Sequence, residues 1–135
     1  MKKLILLSIL FIAGCDNNST QSSVNPLVGI WEASEMTMTL EGTTITMELN
    51  DPTSDIGTMT YIFGADGVFT TTSVSSYGTE NDNGTWSSTG GKLTLFDEED
   101  TVVLDYTISG NTLTFTGLET EDGFTLNFTV TLIRQ

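Results

Sequence analysis

Apolar and polar residues alternate one for one along stretch after stretch of this chain. Met36, Met38 and Leu40 alternate with Thr37, Thr39 and Glu41, and Ile45, Met47 and Leu49 with Thr44, Thr46 and Glu48. Met59, Tyr61 and Phe63 alternate with Thr58, Thr60 and Ile62, and Val102, Leu104, Tyr106 and Ile108 with Val103, Asp105 and Thr107. The clearest run sets Phe124, Leu126, Phe128, Val130 and Leu132 against Thr125, Asn127, Thr129 and Thr131. A period of two places successive side chains on opposite faces of a strand. No window shows a convincing helical repeat. Threonine alone contributes 25 residues, and with Val, Ile and the aromatics it fits a pleated, half-buried surface.

Turn signals punctuate these runs. Ala65-Asp66-Gly67, Ser88-Thr89-Gly90-Gly91, Ser109-Gly110-Asn111 and Glu121-Asp122-Gly123 offer the positive φ angles that tight hairpins need. The pattern predicts about nine strands: 28–41 (long enough to bend), 43–49, 57–64, 67–76, 84–88, 91–96, 101–109, 112–118 and 123–133. Short links between neighbours imply an antiparallel up-and-down meander. Strands that are apolar on one side must bury that side. Eight or nine of them do so by rolling into an all-β barrel, which also removes exposed edges. An open sandwich is the alternative, and alternation does not decide between the two.

The start of the chain follows another pattern. Lys2 and Lys3 precede Leu4–Ala13, an apolar run broken only by Ser8. A permanent membrane-spanning helix takes about 20 residues, so this run has the length of a signal-peptide core. Ile12-Ala13-Gly14-Cys15 resembles the bacterial lipobox, in which small residues fit the peptidase and the Cys thiol is alkylated by a lipid donor. The expected organisation is a signal peptide over 1–14, a lipidated polar tether over 15–25 and a folded domain over 26–135. Cys15 would anchor the protein to a membrane. The resemblance implies export across the inner membrane and lodging in the cell envelope, at the outer membrane or cell surface in preference to the inner membrane. Cys15 is the sole cysteine, so no intramolecular disulfide forms.

Past residue 14, two basic residues, Lys92 and Arg134, stand against 18 acidic ones, a net charge of −16. Phosphate contacts need Lys and Arg, so nucleic acid is not an expected partner. The chain has no His, the usual base for an activated nucleophile. No spacing marks a pair of catalytic carboxylates among the scattered acids. An enzyme is not expected, and neither is a cofactor. Asp97-Glu98-Glu99-Asp100 is the densest acidic group and the only candidate metal site. Adjacent residues in a hairpin point apart, so a solvated turn is the expected state and no metal is assigned.

Three short motifs carry a family resemblance. They are Leu27-Val28-Gly29-Ile30-Trp31, the stretch from Tyr61 to Phe69, and the stretch from Gly84 to Leu95. Together they resemble the lipocalin-like domains common in bacterial lipoproteins, and more distantly the lipocalins. The resemblance implies a barrel whose end is closed by Gly29 and Trp31, with Arg134 from the last strand packed across the indole. It also implies a small hydrophobic ligand in the interior. The apolar faces offer Met36, Met38, Met47, Met59, Tyr61, Phe63, Tyr106 and Phe128 as candidate lining residues, and flexible methionines suit varied apolar guests. The alternative is a filled barrel whose acidic surface contacts another envelope component. A second Gly-x-Trp, Gly84 to Trp86, reads as coincidence. Oligomeric state is not legible.

Overall fold

The computed structural model describes residues 24–135. Nine strands follow in order: β1 (Gly29–Leu40), β2 (Thr43–Glu48), β3 (Thr58–Phe63), β4 (Val68–Ser75), β5 (Gly78–Thr89), β6 (Lys92–Phe96), β7 (Thr101–Ser109), β8 (Thr112–Glu121) and β9 (Phe124–Arg134). Every pairing is antiparallel. Pairing of β1 with β9 closes β1 and β3–β9 into an eight-stranded barrel, and β2 is added on β1. The fold is therefore all-β and closed, not an open sandwich.

The closure is not a strict meander. β9 runs along one edge of β1. The other edge is divided: Gly29–Glu32 pair with β3, and Glu35–Leu40 pair with β2. The chain makes the β1–β2 hairpin, then crosses back through 49–57 to join the first half of β1. Leu49, buried beneath this crossing, donates its N–H to the Ser34 carbonyl at 3.0 Å. Both the β1–β2 and β8–β9 hairpins turn on two residues with positive φ, Glu41-Gly42 at 49° and 82° and Asp122-Gly123 at 50° and 81°. That pair of angles matches the right-handed twist of the strands it joins.

A bulge in β1 explains a change of phase in the sequence. Trp31 and Ala33 are buried at odd positions, yet Met36 and Met38 carry the inward face at even ones. The β1–β9 register shifts between Ala33 and Glu35, so Ser34 is the extra residue. Inserting one residue re-aims every side chain beyond it. The bulge keeps both halves of β1 facing inward.

β5 is longer than the sequence pattern suggests. The structure extends it from 84–88 to Gly78–Thr89. Its first half, Gly-Thr-Glu-Asn-Asp-Asn, has no apolar side, so alternation could not reveal it. It is held by a continuous ladder to β4, from Ser75↔Gly78 to Val68↔Thr85, with Thr72 Oγ1 donating to Asn81 Oδ1 at 2.9 Å.

The core lies toward one end of the barrel. Trp31, Phe63, Phe115, Leu93, Leu113 and Leu132 are essentially inaccessible there. The β3–β4, β5–β6 and β7–β8 connections surround this end, and the described chain enters it as well. Asn25 donates to Ser88 Oγ at 2.9 Å and accepts from the Leu27 N–H at 3.0 Å, and Leu27 is fully buried.

Candidate functional site

The two ends of the barrel differ in how they are filled. At the core end, Trp31 Nε1 donates to the Leu27 carbonyl at 2.8 Å. The Arg134 guanidinium lies over the indole, its Cζ 4.1 Å from the ring centroid. Its Nη1 and Nη2 donate to the carbonyls of Val28 and Pro26 at 3.0 and 2.6 Å. These bonds hold the cation flat on the ring, where the π face attracts it. A side chain at Gly29 would stand 2.6 Å from Arg134 Nη1, so only glycine lets the guanidinium lie there.

The second Gly-x-Trp takes part in the same plug. Trp86 Nε1 donates to the Gly64 carbonyl at 3.0 Å, and its ring meets Phe63 edge-on at 5.4 Å. A Cβ on Gly84 would run into the Phe96 carbonyl and the Phe69 ring. Glycine at 84 is therefore a requirement of close strand approach.

Phe63 is enclosed by Trp86 and Phe115, with centroid distances of 5.4 and 6.2 Å. It belongs to the sealed layer and presents no surface to a guest. Tyr61 forms the next layer, 6.2 Å from Phe63 and edge-on to Phe115 at 5.6 Å. Burial pushes its phenol upward from the ordinary value of 10.0. Tyr106 pairs with Phe115 across β7–β8 and leans on the core.

Beyond Tyr61 the interior opens. Met36, Met59 and Phe128 are half-buried and lean on the core. Met38 and Met47 are half-buried further out, with Met38 paired to Phe128 and Ile45, and Met47 to Met36. Leu40 and Ile45 at the rim are about half exposed, at 44% and 55%. Besides a recess of about 310 Å³ lined by Leu40, Glu119, Asp122, Phe124 and Leu126, two more open here. One of about 420 Å³ is lined by Met59, Thr71, Ser73, Glu80, Asn81 and Asp82. The other, about 350 Å³, is lined by Met38, Leu40, Glu41, Thr43, Ile45 and Leu126. The candidate lining residues thus separate: Met38 and Met59 face recesses, Met36, Met47 and Phe128 adjoin them, and Phe63 and Tyr106 do not.

The polar wall escaped the sequence pattern. Register places Thr71 opposite Tyr61, Ser73 opposite Met59, Asp82 opposite Thr71 and Glu80 opposite Ser73. All four share the inward parity of Phe69 and Gly84. Counting by twos from those two residues would have found them, but no apolar side chain marks the run.

Asp97, Glu98, Glu99 and Asp100 form the β6–β7 turn. Asp97 Oδ1 accepts from the backbone N–H groups of Glu99 and Asp100 at 2.7 and 2.8 Å, which lowers its carboxyl from the ordinary 3.8. Asp100 Oδ1 accepts from the Thr101 N–H at 2.7 Å. Both carboxylates are engaged in shaping the turn. Among the described residues no three acidic side chains converge on a point.

A sealed end capped by Gly-x-Trp and arginine, opening into a half-filled interior, is the geometry of a container. A model of the lipocalin-like domain family matches residues 27–115. The chain belongs to that family. The match runs from the buried Leu27 through β1 to Phe115 in the middle of β8, and the closed barrel in the structure includes β9 beyond it. No curated protein matches the chain. The lipocalin-like barrel is a small-ligand-binding fold, and its open half is where such a ligand has room.

Proposed function

We propose that this lipocalin-like barrel holds a small molecule with an apolar body in its open half. One observation carries the reading: the interior is solid from Trp31 to Phe63 and gives way beyond Tyr61 to recesses floored by Met59 and Met38. The mechanism is burial of apolar ligand surface, worth about 25 cal/mol per Å² removed from water, and involves no covalent step. Members of this family are generally binding proteins rather than enzymes. Titration with neutral N-phenylnaphthylamine should give a saturable rise in fluorescence that Met59→Trp, which fills the recess, diminishes. A linear response with no saturation would reject the container.

The same proposal places the barrel at a membrane through Cys15, which lies outside the described residues. What supports this is the order Lys2-Lys3, apolar Leu4–Ala13, then Ile12-Ala13-Gly14-Cys15. Cys15→Ser should move the protein from the membrane to the soluble fraction. Unchanged fractionation without detergent would contradict the anchor.

A further inference from the structure

The charges of the described chain are polarised along the barrel axis. Of the five connections toward the open end, four carry carboxylates: β1–β2, β2–β3, β6–β7 and β8–β9. The three at the sealed end carry Asp66 alone. Among the described residues the two basic side chains both lie at the sealed end. Lys92 is paired with Asp105 at 2.6 Å, and Arg134 is fixed over Trp31. Among the described residues no cation stands where a ligand would enter.

The asymmetry continues inside. In the 420 Å³ recess, one side is Met59 and the other carries the Thr71 and Ser73 hydroxyls with the Glu80 and Asp82 carboxylates. Register puts both carboxylates on the lumen face of β5, opposite Ser73 and Thr71. Tyr61, paired with Thr71, lies one layer deeper, stacked on Phe63, and Asn81 completes the polar side of the recess. An interior that is apolar on one wall and anionic on the other is complementary to a molecule of the same build. Both carboxylates are exposed to solvent, and a carboxylate head brought beside them would meet only like charge. A cationic head gains from both acids, and the negative mouth concentrates it from solution.

We propose that the ligand of the open half is a cationic amphiphile, an alkyl or aryl body bearing an amine or quaternary ammonium, with Glu80 and Asp82 receiving the positive group. The proposal rests on the container reading and specifies its guest. Three probes with one tail separate the two ideas: dodecyltrimethylammonium, dodecanol and laurate, each titrated calorimetrically into the purified protein below its micelle concentration. The expected order is dodecyltrimethylammonium tightest, dodecanol weaker and laurate weakest. Raising salt from about 0.05 to about 0.5 M should narrow that order by screening. Glu80→Gln with Asp82→Asn should weaken the cationic probe roughly tenfold and dodecanol by clearly less, so that the preference between the two shrinks. Equal affinity for all three probes would overturn the charge inference and leave the container standing. A cationic preference that survives the double substitution would overturn the assignment to these two acids. Failure of all three to bind would remove the container itself.

Discussion

The two halves of this barrel share the same strands and almost the same alternation, yet one is solid and the other is not. At the sealed end the inward positions hold Trp31, Phe63, Trp86 and Phe115; the Phe63 ring meets Trp86 and Phe115 edge-on, and Trp31, Phe63 and Phe115 are fully buried. At the open end the same positions hold methionine, threonine, serine and carboxylates. Large rigid rings interlock and satisfy their N–H groups on nearby carbonyls. Flexible thioethers and short hydroxyls do neither, so the interior widens. Dense packing and open space thus lie at opposite ends of the same β1, with the Ser34 bulge between them.

Substitutions at matching positions test that division. Trp31→Ala should have the largest effect, a loss of about 3–5 kcal/mol in urea unfolding, because the ring is fully buried and carries both the Leu27 bond and the Arg134 stack. Met38→Ala, on the same strand past the bulge, should cost about 1 kcal/mol or less while weakening capture of a neutral probe. Equal losses would show that the two halves are one core. The smallest effect concerns Tyr61 at the boundary. Its folded pKa is raised, so the unfolded chain releases the phenolic proton first. The contribution is present below pH 10.0 and lost as pH rises from there through the raised folded value. Tyr61→Phe should flatten that part of an alkaline stability profile. An unchanged profile would mean that the phenol is not desolvated and that the open half begins a layer deeper.

What the sequence made legible follows the same division. β9 was plain because Phe124, Leu126, Phe128, Val130 and Leu132 all face inward, and Trp31 and Arg134 could be paired through the family pattern. The sealed end is written in large apolar side chains, which periodicity detects directly. On β4 and the first half of β5 the open end is written in the absence of them. Glu80 and Asp82 sit on the first half of β5, where the lumen face has no apolar residue, so alternation gives 78–83 no mark as a strand. Trp86 was legible as a residue and illegible as a plug, because its partners Gly64 and Phe63 are brought to it by register, not by spacing. The division of one β1 edge between β2 and β3 had no local signal either. It depends on a crossing that only the closed barrel fixes.

The chain enters through the stopper of its own vessel: Asn25 and Leu27 are fastened beside Trp31 and Ser88, at the end remote from the rim. Any restraint applied to the residues before them grips the base and leaves the rim directed outward. Under such a restraint a ligand would enter and leave from the surrounding fluid. A passenger drawn straight from a surface that held the base would have to travel the full length of the wall before it found the way in.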